Sequence, residues 1–147
     1  MSDAKKMFEG EVPRSARKVN PPIATGVAHG LDWEVKLSPL KSSANGYIIL
    51  DKSHPWFGKD YADLDVEVHG GLTYGREGKF GFDTAHAWDD WSDDALAEIG
   101  GDSTHAYHEQ DARYFWTLAK LIGETQFLAS QAAEAKSRAA HPAGKGL

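Results

Sequence analysis

Between residues 33 and 83 apolar and polar side chains alternate in short runs, broken by glycine, proline and asparagine. A period of two sends neighbouring side chains to opposite faces, so these runs predict strands with one face covered and the other wet. Trp33-Glu34-Val35-Lys36-Leu37 is the first run and stops at Ser38-Pro39. Asn45-Gly46 signals a turn before the apolar run Tyr47-Ile48-Ile49-Leu50. The most regular run is Leu64-Asp65-Val66-Glu67-Val68-His69, followed by Gly70-Gly71 and Leu72-Thr73-Tyr74. Arg76-Glu77-Gly78 then turns the chain into Phe80-Gly81-Phe82-Asp83. The expectation is a small antiparallel β-meander over about residues 33–83. His54-Pro55-Trp56-Phe57-Gly58 interrupts it and reads as an exposed aromatic loop.

The pattern then becomes helical. Asp83 can cap a short turn. Ser92 is a stronger N-cap, with Asp93 and Asp94 where a helix dipole favours anions, and that helix runs to about Ile99 before Gly100-Gly101. Tyr107, Tyr114, Phe115, Leu118, Leu121, Ile122 and Leu128 form an apolar stripe continued by Ala132 and Ala133, which predicts a long helix over about 107–137. Strands followed by helices make an α+β domain over 26–138. Residues 1–25 read as an extended arm and 139–147 as a flexible tail. The long helix either covers the sheet or pairs with a second copy, so a homodimer is open.

With 147 residues the chain is long enough to bury a core unaided. It contains no cysteine, which excludes disulfides, thiolate metal ligands and a cysteine nucleophile. No run of apolar residues is long enough to span a membrane, and Met1-Ser2-Asp3-Ala4-Lys5-Lys6 does not open a signal peptide. A cytoplasmic protein is expected. The net charge is −6, and residues 81–111 hold nine acids without a lysine or arginine. That block repels phosphate and argues against an extended nucleic-acid partner. It suits solvation, a cation, or a basic protein surface.

His69, Asp83, His86, Asp89 and Asp90 gather around the meander. His69 ends one strand beside two glycines, Asp83 ends another, and His86 follows Asp83 at i+3. Two imidazoles and a carboxylate with an open position suit catalytic zinc or non-haem iron, with Asp89 as general base. The same groups would equally grip a polar ligand by hydrogen bonds. The plain structural alternative makes Asp83 a helix cap and His69 a strand-end donor. Trp56, Tyr74 and other loop aromatics, with Lys59 and Arg76 nearby in sequence, offer rings and cations for a nucleotide, although rings in a small domain also serve as core. Trp88 and Trp91, amid acids, suit a protein interface.

Two stretches, Asp65-Val66-Glu67-Val68-His69-Gly70-Gly71-Leu72-Thr73-Tyr74 and Gly81-Phe82-Asp83-Thr84-Ala85-His86-Ala87-Trp88-Asp89, resemble a group of short uncharacterised proteins of bacteriophages, prophages and bacteria. The resemblance covers about residues 46–94 well and the helix from about 110 to 132 loosely. Members often carry cysteine where Thr84 stands and glycine where Trp88 stands, so a thiolate role would not apply here. The resemblance implies a context, a small phage-type accessory protein acting on host physiology or defence in the host cytoplasm, and no activity.

Three functions follow as expectations. The first is a binding protein that sequesters a polar, nucleotide-like host signalling molecule. In it His69, Thr73, Asp83 and His86 supply hydrogen bonds, Trp56 and Tyr74 stacking, and Lys59 or Arg76 phosphate charge. The second is a metal-dependent hydrolase using His69, Asp83, His86 and Asp89. The third is an acidic inhibitor presenting Trp88–Asp94 to a basic host protein.

Overall fold

The computed structural model describes residues 20–105, 108 and 112–141. The architecture is α+β: a five-stranded antiparallel sheet with a long C-terminal helix packed on one face. Strands β1 (Pro22–Ala28), β2 (Leu31–Leu37), β3 (Ala44–Ile49), β4 (Tyr74–Arg76) and β5 (Lys79–Phe82) stand in the order β1-β2-β3-β5-β4. Two further short strands, β6 (Asp89–Asp90) and β7 (Tyr114–Phe115), pair in parallel outside this sheet. The helices are α1 (Asp93–Glu98) and α2 (Leu118–Ala140).

The alternation seen in the sequence decides which face of the sheet is covered. Val35, Ile48 and Phe80 are fully buried, as are Leu121, Leu128, Ala129 and Ala132 of α2. Those helix positions recur at i, i+7, i+8 and i+11, the apolar stripe of a helix lying on a sheet. Gly46 lets α2 approach closely, because a Cβ there would sit on the Thr125 hydroxyl. Thr125 itself is buried and returns its hydroxyl proton to the Leu121 carbonyl at 2.7 Å.

Five expectations need correction. Asn45-Gly46 is not a turn: both residues lie within β3, paired with Lys36 and Val35 of β2. The most regular alternating run, Leu64–His69, whose last residue already lies in a turn, joins no sheet. It lies along α2, where the Gln131 side chain brackets Glu67, accepting from its N–H at 2.8 Å and donating to its C=O at 2.6 Å. The His69 N–H donates to Glu124 at 2.8 Å. Side chains of the helix thus replace a ladder, and alternation alone does not tell the two apart.

The long helix begins at Leu118 rather than near 107, with the Thr117 hydroxyl accepting from the Lys120 N–H as N-cap. Tyr114 and Phe115, expected on its stripe, form β7, and Tyr107 lies outside the described residues. The edge strand begins at Pro22, inside the stretch read as arm. Finally, the aromatic loop is not exposed. His54 and Trp56 are 4% and 8% exposed, with Trp56 edge-on to Phe80 at 6.1 Å.

Ser92 does cap α1, accepting from the Ala95 N–H. No helix among the described residues is long and apolar enough to cross a membrane.

Candidate functional site

The chain leaves β5 at Phe82 and is pinned at once by Thr84. This buried side chain donates to the Ala44 carbonyl at 2.7 Å and accepts from the Trp91 indole at 2.8 Å. Between these anchors His86–Asp89 forms a turn closed by the Asp89 N–H on the His86 carbonyl at 2.9 Å. The following strand pairs with β7, which sets Trp116 against Asp89.

Asp89 is the centre of the site, with a side chain only 1% exposed. Its Oδ1 lies 2.7 Å from Nε2 of His69 and accepts from the Trp116 indole at 3.0 Å. Its Oδ2 lies 2.8 Å from Nδ1 of His86 and accepts from the His86 backbone N–H at 3.0 Å. Burial pushes the carboxyl pKa up, but the His86 N–H, the His86 ring and the Trp116 indole outweigh it and hold Asp89 below the usual carboxylate value. Asp89 is therefore ionised at neutral pH.

The histidines are walled by rings. His69 lies 4.8 Å from Trp116 and 4.9 Å from Tyr114, while His86 stacks on Trp88 at 4.9 Å with the planes 7° apart. Both imidazoles keep a partly open edge, 13% and 19% exposed. Gly70, at φ +69°, makes room for His86, since a Cβ there would lie 2.3 Å from Cε1 of that ring.

One ligand atom each from His69, His86 and Asp89 fall within 4.8 Å of one another, so this group could hold a metal ion. Each imidazole nitrogen hydrogen-bonds one oxygen of the Asp89 carboxylate, so an ion held there would take the place of those N–H protons. One detail fits that use. The far nitrogen of His86, Nε2, lies 3.3 Å from Oδ1 of Asp83, which is buried and has no well-formed hydrogen bond. A ligating histidine ordinarily shows its second nitrogen to a carboxylate in this way, which fixes the ring.

The expected site residues therefore separate. His69, His86 and Asp89 come together, with Asp83 behind His86. Asp83 caps no helix, because the turn forms three residues later. Thr73 and Tyr74 are exposed at the start of β4, Tyr74 lying edge-on to Tyr47 at 5.6 Å. Arg76 pairs with Lys79 at the far end of β5, about 10 Å of strand from Phe82. Lys59 is exposed in the loop after Trp56, which is core. The stacking and phosphate-binding groups of the nucleotide expectation do not converge on the histidines.

The acidic segment is likewise less free than its sequence implies. Trp91 and Asp89 are buried, and Asp90 engages His108 at 2.7 Å. His108 also reaches Asp93 at 3.1 Å, and hydrogen bonds to Asp90 first and then Asp93 raise its pKa.

Trp116, Tyr114 and Glu124 are the site residues that sequence reasoning missed. Thr117, a good N-cap directly before Leu118, was the signal that would have released Trp116 from the helix. Compared with known proteins, the chain matches no family model, no curated sequence and no solved structure.

Proposed function

We propose that the chain is a metal-dependent hydrolase whose ion is held by His69 Nε2, His86 Nδ1 and Asp89. The observation that supports this reading is that one ligand atom each of His69, His86 and Asp89 lies within 4.8 Å of the other two. Two nitrogens and an oxygen suit zinc or iron(II), and three protein ligands leave a fourth position open, as catalytic rather than structural sites do. A zinc ion so held would supply water ionisable near neutral pH.

The chain's own residues have distinct roles in this reading. The Trp116 indole and the His86 N–H orient Asp89 from behind. Asp83 orients His86 through Nε2, and the rings of Tyr114, Trp116 and Trp88 exclude water from the sides. Asp89, expected as general base, is a ligand here.

Metal content of the full chain incubated with zinc or iron(II) tests the reading, together with a cobalt(II) spectrum of the refilled site. One ion per chain is expected, lost in His69→Ala and His86→Ala variants that keep the wild-type circular dichroism. Chromogenic esters and phosphodiesters should be cleaved by the loaded protein and spared after chelation. Failure to bind near one equivalent overturns the site. Binding with no turnover on either substrate class overturns the hydrolase and leaves the site standing.

A further inference from the structure

The face of the sheet turned away from α2 carries a second feature. Alternation in β3 places Asn45 and Tyr47 there, opposite to buried Ala44 and Ile48. Together with Asn20, Lys36 and Lys41 they line a cleft of about 460 Å³, within the range of small-molecule sites.

Four observations give this cleft a chemistry. Lys36 and Lys41 have no carboxylate within ion-pair distance among the described residues, whereas Lys79 on the same face is neutralised by Glu34 at 2.5 Å. The carbonyl oxygen of Asn45 is buried and accepts no hydrogen bond, an orphan acceptor that a ligand N–H or O–H would satisfy. Lys41 sits at φ +61°, in a turn where its N–H donates to Ser38 and its carbonyl accepts from the Asp102 N–H. A non-glycine residue adopts that conformation at a cost, and such positions cluster where a side chain is needed. The Tyr47 ring, with Lys79 4.8 Å over its face, forms a rigid wall.

We propose that this cleft binds a small phosphomonoester that also presents an N–H or O–H donor. The phosphate dianion lies between Lys36 and Lys41, and the donor reaches Oδ1 of Asn45. Two lysines act as point charges suited to phosphate rather than as a fork for a planar carboxylate. The site is separate from the histidine cluster and does not depend on a metal there.

Amide chemical-shift titrations of the full chain with inorganic phosphate, adenosine monophosphate and glucose 6-phosphate test this. Shifts are expected to concentrate at Lys36, Lys41 and Asn45. A Lys36→Gln/Lys41→Gln double variant should weaken every probe about tenfold or more. Asn45→Ala should weaken the two esters and leave inorganic phosphate unchanged. Shifts centred on His69 and His86, a double variant that binds like wild type, or cleft amides silent to all three probes would each overturn the proposal.

Discussion

Replacing Gly70 by alanine, with Gly71 as its control, isolates the packing of His86 from the backbone effect of the turn. Both glycines sit at positive φ, +69° and +83°, and each substitution costs about 1–2 kcal/mol of left-handed strain. Only Gly70 has a neighbour in the way. Its new Cβ would lie 2.3 Å from Cε1 and 2.4 Å from Nε2 of His86, whereas a Cβ on Gly71 meets nothing within 4 Å. Ordinary contact needs about an ångström more, and a ring that moves so far gives up its 2.8 Å bond to Asp89. Hydrogen bonds to an ionised group contribute about 1.5–3 kcal/mol. His86 is partly solvated, so the low end applies, and the excess of Gly70→Ala over Gly71→Ala should be about 1–2 kcal/mol. For a chain of this length that is a gap in melting temperature of roughly 2–8 °C. Thermal melts followed by circular dichroism give the gap, and imidazole proton–nitrogen spectra show whether His86 has moved. Equal melting temperatures with an unmoved His86 resonance would refute the idea that this glycine corner seats the ring.

Further outcomes follow from the packing. Trp56→Ala should cost about 3–5 kcal/mol in urea unfolding, as a core tryptophan does, while Lys59→Ala and Arg76→Ala stay within about 0.5 kcal/mol. If Trp56 were a loop platform, all three would be mild. Gln131→Ala should speed hydrogen exchange at the Glu67 amide and cost about 1 kcal/mol, and an unchanged exchange rate would mean the segment is held some other way. His54 supplies a pH dependence. Its Nδ1 accepts from the Trp56 N–H at 2.9 Å, so Nε2 carries the proton and donates to the Ala132 carbonyl at 2.8 Å. Burial, foremost, lowers its pKa below 6.5. The unfolded chain then binds the extra proton first, so stability is full above about pH 6.5 and declines as pH falls from there through the folded value. Urea midpoints between pH 8 and 5 should show that decline and lose most of it in His54→Gln.

The fold class was legible because strands β2, β3 and β5 and helix α2 each bury one face, and burial of one face is what a hydrophobic period records. Leu64–His69 misled for the same reason. An extended segment lying on a helix hides every second side chain just as a strand does, and its hydrogen-bond partners, Glu124 and Gln131, are more than fifty residues away. Trp56 looked like loop because His54-Pro55 breaks the pattern, yet the bulk of an indole and the neutral His54 beside it carry that loop into the core. Within the site, the i+3 spacing of Asp83 and His86 was readable. That Asp89 rather than Asp83 sits between the imidazoles was not, because it depends on a parallel pairing with Tyr114–Phe115 and on Trp116 arriving from beyond it.

The bracket between Leu64–His69 and α2 has a consequence for how this chain tolerates change. A backbone ladder is indifferent to which residues it joins and can slip by two positions without losing a bond. Side-chain clips are specific: Glu124 and Gln131 stand seven residues, two helical turns, apart and meet His69 and Glu67. One residue inserted between them would swing one clip about 100° around the helix and release His69 from its place. Two half-exposed helix positions, neither core nor ligand, therefore set the reading frame for one half of the histidine pair.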